Sequence, residues 1–399
     1  MPGRMRVPGH FEQGGFDMAK LFGQELSKMD ILRHVGSMDQ VCGARKVVLD
    51  EGNEKGSEAV VFHTGSGLTF TALAGRALDI SSADYQGKSL CWRSSVGDTA
   101  APYYESDGLG WLRGFYGGLL CTCGMSWAGA PHADPDSSEG DPLTYMDADG
   151  NLQWQPVGSL GLHGRVSNTP AKHLSISEWW DGDDYWMSAY GEIRETVIFG
   201  TNLLLRRTVK AKLGESRIWV EDVVENQSFA PQEHMFLYHC NFGYPAIGEG
   251  AEYLVNARET KPRDAAAAPH IDTWAEFPAP IPGVEEWVYY HDVACDENGD
   301  VWVGVANRGF NGGQGFGGYL KYNKEQMPYF IQWKMPGEGT YVTGLEPANC
   351  LVEGRKKDRD EGRLIVLQPG ESRSYSLEMG VLADTAEIDA MAAKVASLK

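Results

Sequence analysis

The chain of 399 residues is long enough for one large or two average domains, and 42% hydrophobic and 11% aromatic content with 49 glycines describes a turn-rich globular protein with a sizeable core. Lys plus Arg total 35 against 55 Asp plus Glu, and a net charge of −20 repels phosphate backbones and anionic membrane surfaces, so neither nucleic acid nor a membrane is expected as a partner. No run approaches the ~18 apolar residues of a membrane span, the basic residues near the start are followed by no apolar segment, and the seven cysteines form an odd, scattered set, so a soluble, cytoplasmic protein without a disulfide framework is expected.

Residues 17–35 predict one or two short helices with Asp17 as an N-cap, within an N-terminal extension over residues 1–35. From Lys46 onward the pattern changes to short segments rich in β-branched and aromatic residues, separated by Gly, Asn and Asp turns. Residues 60–63 and 68–73 flank Thr64-Gly65-Ser66-Gly67 as a hairpin. Cys121-Thr122-Cys123 puts two thiols on one face of a strand, and with no second Cys/His pair at zinc-site spacing they read as buried free thiols. The loop-like insertions 128–150 and 261–285 lie among strands. Ser137-Ser138-Glu139-Gly140-Asp141 and Asp147-Ala148-Asp149-Gly150 are acidic, turn-rich stretches; the second resembles the start of a calcium loop but lacks the distal Glu and the flanking helices, and reads as a solvated turn.

In residues 203–213, Leu203, Leu205, Val209, Ala211 and Leu213 share one face and Arg206, Thr208, Lys210 and Lys212 the other; only Leu204 and Arg207 break the period of two. Flanking segments at 195–199 and 217–224 make the middle of the chain a meander, and further strands are expected at 301–305, 329–334 and 374–379. A C-terminal helix over 383–399 starts at Asp384 and Glu387 and repeats Ile388, Met391, Val395 and Leu398 at helical spacing. With no internal repeat and no linker, one all-β domain over residues 36–382, a large antiparallel β-sandwich, is the economical reading.

Three stretches carry candidate chemistry. In Gly161-Leu162-His163-Gly164-Arg165, an imidazole and a guanidinium sit among chain-bending residues, and Pro170 biases Thr169 toward an extended shape. In Tyr238-His239-Cys240-Asn241, read as a strand, Phe236, Tyr238, Cys240 and Phe242 pack on one face while Leu237, His239 and Asn241 point from the other. A histidine there is either a hydrogen-bonded core residue or a general acid with a pKa in the neutral range. In Gly344-Leu345-Glu346-Pro347, a carboxylate stands inside an apolar segment, either salt-bridged or desolvated into a base. Gly75-Arg76-Ala77-Leu78-Asp79-Ile80 and Trp111-Leu112-Arg113-Gly114-Phe115-Tyr116-Gly117-Gly118 add arginine forks and aromatic faces of the kind sugar rings need, or a rigid core.

Taken in order along a long all-β chain, Leu162-His163-Gly164, Tyr238-His239-Cys240-Asn241 and Leu345-Glu346-Pro347 resemble the aldose 1-epimerase (galactose mutarotase) superfamily, and the Arg76, Arg113 and Arg165 stretches resemble a bacterial branch related to it. The resemblance spans residues 36–382 and implies a galactose mutarotase-like supersandwich with a sugar cleft on one sheet. It implies His239 as general acid, Glu346 as general base, His163 as a sugar ligand near the ring oxygen and Arg76 as a cleft arginine. The family's substrate-binding aspartate has only Asp264 and Asp272 as weak matches, and the aromatic that should follow the second histidine is Cys240 here.

The implied activity is cofactor-independent interconversion of the anomers of a small-molecule sugar. The alternatives are a non-catalytic carbohydrate-binding or sensing protein, and a metal-dependent sugar isomerase or lyase with His163, His239 and Glu346 as ligands. With Arg76, Arg113, Arg165, Asn241 and Lys334 placed beside the cleft, a hexose-sized sugar is expected, with an anionic sugar as runner-up.

Overall fold

A computed structural model describes residues 19–134, 142–146, 149–150, 152–156, 159–198 and 200–399. Three antiparallel sheets dominate. The largest has eight strands in the order Lys172–Asp181, Asp184–Thr196, Asn202–Lys212, Arg217–Asn226, Ser372–Leu382, Phe316–Asn323, Asp300–Asn307 and Glu252–Leu254. The second runs Ala257–Pro262, Trp287–Val293, Tyr329–Gly337, Thr340–Ala348, Gln232–Phe242 and Ile365–Leu367, with Cys121–Met125 also paired to Gln232–Phe242. A five-stranded sheet built from residues 43–89 contains the expected hairpin, with Val60 opposite Ala72 and His63 opposite Thr69. This is the all-β antiparallel sandwich the sequence pattern predicts.

Side-chain alternation sets what each sheet buries. Phe236, Tyr238, Cys240 and Phe242 enter the same apolar cluster as Leu205 and Val209 of the eight-stranded sheet and Phe62 and Phe70 of the five-stranded one, so the main core lies between the sheets. Leu237 and Ile331, one pleat over, join a second cluster with Trp111, Phe115 and Cys121 on the other face of the second sheet. Cys121 and Cys123 are buried, unbridged thiols of that cluster.

Arg207, out of period in its sequence segment, is buried in the sandwich. It donates to Asp222 (2.9 and 2.6 Å), Asp79 (2.5 Å), Thr122 Oγ1 (2.8 Å) and the Ala77 carbonyl (3.1 Å), and Tyr238 donates to Asp222 at 2.8 Å. Five strands thus meet in one polar knot. Burial pushes the Asp79 carboxyl up, against the pull of Arg207.

The N-terminal expectation needs correcting. Ala19–Leu21 and Gln24–Leu26 form a small hairpin around Phe22 and Gly23, both at positive φ, and the helix is shortened to Lys28–Leu32. Ser27, through a capping box with Asp30, starts that helix; the proposed Asp17 cap lies outside the described residues, as do Ser137 to Asp141, Asp147, Ala148, Asn151 and Phe199. At the other end Asp384 caps Thr385–Ala396, accepting from Ala386 N and Glu387 N, with Ile388 and Val395 buried.

Candidate active site

The pairing of Gln232–Phe242 with Thr340–Ala348 runs Leu237 opposite Ala348 and Cys240 opposite Leu345, which sets His239 across from Glu346 on the face turned away from the main core. His239 Nε2 and Glu346 Oε1 stand 3.2 Å apart, and both residues are buried. The contact lacks hydrogen-bond alignment, so Glu346 Oε1 has no partner. Gly344, two residues before Glu346 on the same strand face, makes the room: a Cβ there would lie 2.5 Å from Glu346 Oε1 and 3.1 Å from His239 Cε1.

His163 reaches the pair from a turn. Its own φ is +59°, a left-handed backbone held by His163 N donating to the Gly129 carbonyl and Gly124 N donating to the His163 carbonyl, both at 2.9 Å. The flanking glycines serve close approach: a Cβ on Gly161 would meet the Ser106 carbonyl oxygen at 1.9 Å, and one on Gly164 the Trp127 carbonyl oxygen at 2.5 Å. Thr169, before Pro170, is extended at φ −109°, ψ 120°.

The two imidazoles lie 5.8 Å apart, edge to face, with Trp111 4.9 Å from His163, and Phe115 and Trp333 5.4 and 5.2 Å from His239. His163 Nδ1 and His239 Nδ1 are buried without partners. Three unpartnered polar atoms therefore share one aromatic-walled cleft of about 600 Å³.

Burial sets the protonation of this group. It pushes the Glu346 carboxyl well above the usual carboxylate range, with the neighbouring Glu286 adding to the rise and Arg263 opposing it. It lowers His239 to about 3, helped by His163, and His163 to about 4, helped by Arg263. Both shifts favour the uncharged forms, a carboxylic acid beside a neutral imidazole with one proton between them.

The arginines expected at the cleft are elsewhere. Arg76 is buried, its guanidinium donating to the carbonyls of Ser167, Thr99 (2.5 Å) and Gly114 (2.9 Å), and it does not line the cleft. Arg113 is exposed and paired with Glu105 at 3.1 Å, because the turn containing it buries Trp111 instead. Arg165 lies over Trp127 in a separate cavity of about 190 Å³. Lys334 follows Trp333 on the strand and so points to the opposite face, where it donates to the Trp274 (3.0 Å) and Glu276 carbonyls and burial lowers it to about 7. Asn241 shares His239's face but bonds the Gly117 and His239 carbonyls at 3.2 and 3.0 Å. Of the two aspartates, Asp264 lines the cleft and Asp272 lies outside it.

The cation that does line the cleft is Arg263, which the sequence analysis missed inside a stretch taken for a loop-like insertion. It is held by Asp264 at 2.8 Å and Glu286 at 2.9 Å, and Glu286 also accepts from Trp333 Nε1 at 2.8 Å. Nothing local in the sequence marks Arg263-Asp264 as a site; only the strand pairing of Ala257–Pro262 with Trp287–Val293 brings them to the cleft rim. Among the described residues, no three His, Cys, Asp or Glu side chains are grouped to hold a metal ion, and no helix is long and apolar enough to cross a membrane.

Comparisons with known proteins bear on the family and the fold. The family model described as domain of unknown function DUF4432 matches residues 54–381. A candidate aldose 1-epimerase from Klebsiella pneumoniae is 26% identical with a TM-score of 0.78, covering 89% of this chain and 87% of that one. A galactose mutarotase-like protein from Clostridium acetobutylicum (12% identity, TM-score 0.57, 86% and 99% covered) and galactose 1-epimerase from Lactobacillus acidophilus (11%, 0.53, 86% and 99%) share the fold. No curated protein sequence matches the chain.

Proposed function

Because the chain belongs to the DUF4432 family and carries a galactose mutarotase-like sandwich, we propose that it interconverts the anomers of an uncharged aldose by general acid and base catalysis. The observation that carries this reading is the 3.2 Å approach of His239 Nε2 to Glu346 Oε1 in a cleft where Glu346 Oε1 and the Nδ1 atoms of His163 and His239 are unpartnered. Opening a pyranose hemiacetal requires removal of the anomeric hydroxyl proton, protonation of the ring oxygen and cleavage of the C1–O5 bond. Glu346 takes the first proton and His239 gives the second. Rotation about C1–C2 in the open aldehyde, followed by reclosure with both transfers reversed, inverts the centre and returns the pair with its single proton. The tautomer that burial favours carries the same proton on Glu346, and works with donor and acceptor exchanged. No cofactor is needed.

His163, beside Arg263 and Trp111, is assigned to bind and orient the ring, and the aromatic walls to cover its C–H faces. Anionic sugars lose their earlier rationale: Arg76, Arg113, Arg165 and Lys334 do not line the cleft, and Arg263 is already paired with two carboxylates. The test is NMR exchange spectroscopy on a panel of hexoses and uronates. Neutral hexoses should exchange faster with the protein, uronates should not, and Glu346→Gln should slow exchange by about 10²- to 10⁴-fold. A Gln variant as fast as the wild type would sink the assignment. Calorimetric binding of a hexose with no acceleration would instead identify a sugar-binding protein.

A further inference from the structure

We infer that the outer half of the cleft is a second sugar subsite, so that the substrate is an uncharged reducing saccharide of at least two rings; this rests on the anomer-exchange reading of the inner half. The cleft is too large for one ring. Its volume is about 600 Å³. At roughly 30 Å³ per water this is room for about twenty separate waters; covalently bonded atoms pack more closely than waters, so the about twelve non-hydrogen atoms of a hexose leave more than a third of it unfilled, and the about twenty-three of a disaccharide fit.

Its two halves also differ in chemistry. Its buried lining includes His239 and Glu346 with Trp111 and Phe115, whereas its more exposed lining includes Leu109, Leu112, Leu162, Ala130 and Pro131, with Arg263 at the rim. Leu109 and Leu112 are 60% and 46% exposed, although the same turn buries Trp111 and Phe115. Residues three apart align on one side of a 3₁₀ turn, so Gly110–Gly114 presents the two leucines together at the cleft mouth while its aromatic residues serve the inner end. Glu353, anchored by Lys357, is a carboxylate of the same lining. Apolar walls with one fixed acceptor suit a pyranose, whose C–H faces pack on the leucines and whose hydroxyl donates to the carboxylate. A charged second unit fits badly, since the carboxylate is what the site offers.

The experiment measures anomer exchange by the full-length protein for glucose, galactose and mannose, each against a disaccharide with that sugar at its reducing end. At least one disaccharide should show a kcat/KM about tenfold or more above its hexose, and Leu112→Asp should bring that ratio down to about 1, with circular dichroism checking the fold; Leu109→Asp is the second variant. A ratio near 1 in the wild type, or variants that slow hexose and disaccharide by the same factor, would overturn the subsite. If no sugar exchanges faster with the protein, the catalytic reading has failed and calorimetry on the same sugars decides the subsite: a disaccharide binding about tenfold more tightly keeps it, and equal or absent binding removes it.

Discussion

At the residue scale, the two cleft histidines should fail in different ways. His163 sits on a strained turn with its Nδ1 unpartnered and 5.8 Å of ring separation from His239, so it is placed to hold a sugar rather than to share the proton on Glu346. His163→Asn should chiefly raise KM, whereas His239→Asn, which removes the proton carrier beside Glu346, should chiefly lower kcat by about 10²- to 10⁴-fold. Neither ring completes the main apolar core, so both variants should stay folded by circular dichroism. Equal effects on kcat would mean that the roles are shared or reversed. The same scale explains the displaced arginines: residue type says that a guanidinium can bind a sugar, but three carbonyls hold Arg76 away from the cleft.

At the element scale, the site depends on a missing side chain in the strand Thr340–Ala348. Gly344 has an ordinary extended backbone, and its value is space. In Gly344→Ala the new methyl must push the Glu346 carboxyl away from His239, and misplacement on the order of 1 Å costs about 10²-fold in rate. We therefore expect kcat to fall by about that factor while the protein stays folded; unchanged kcat would show that the observed spacing is not the working one. Strand Asn202–Lys212 of the eight-stranded sheet contributes Arg207, which ties five strands together inside the sandwich. Arg207→Met leaves Asp79 and Asp222 buried without their cation, so unfolding in urea should show a loss of about 3–5 kcal/mol. A loss under about 1 kcal/mol would mean that the knot relaxes without it.

At the scale of the whole molecule, four desolvated histidines among the described residues, three of them buried, couple stability to pH. Burial lowers His163, His234 and His291 to about 4 and His239 to about 3. The ordinary value, held by the unfolded chain, is about 6.5, so below it the unfolded state binds more protons and stability falls as pH drops from about 6.5 toward 4. Each imidazole contributes at most about 1.4 kcal/mol per pH unit in that window. The raised carboxyls of Glu346 and Asp79 act in the opposite sense, so the clean measurement is a difference. His291, between Thr260 and Gln332 and away from the cleft, is the residue to change. The thermal stability of His291→Gln should depend less steeply on pH between 6.5 and 4 than that of the wild type, and parallel curves would mean that His291 titrates normally.

The sequence by itself determined most of the strands and the residues of the candidate pair, His239 and Glu346. Period-two alternation requires only neighbours along the chain, so the meander, the hairpin at 58–73 and the outward face of His239 were legible, as was the cap at Asp384. A carboxylate in an apolar segment and a histidine opposite a buried aromatic face are likewise local signals. Where local preference was weak, as in residues 19–26, a turn at Phe22-Gly23 made a hairpin of what read as helix. Tertiary structure alone decided the company the pair keeps. Arg76, Arg113, Arg165 and Lys334 all had the right charge, but which way a long cationic side chain points depends on carbonyls and carboxylates distant in sequence. Arg263 and Glu286 came to the cleft through strand pairing between residues that no local pattern connects, because a sheet joins positions by register and not by spacing along the chain.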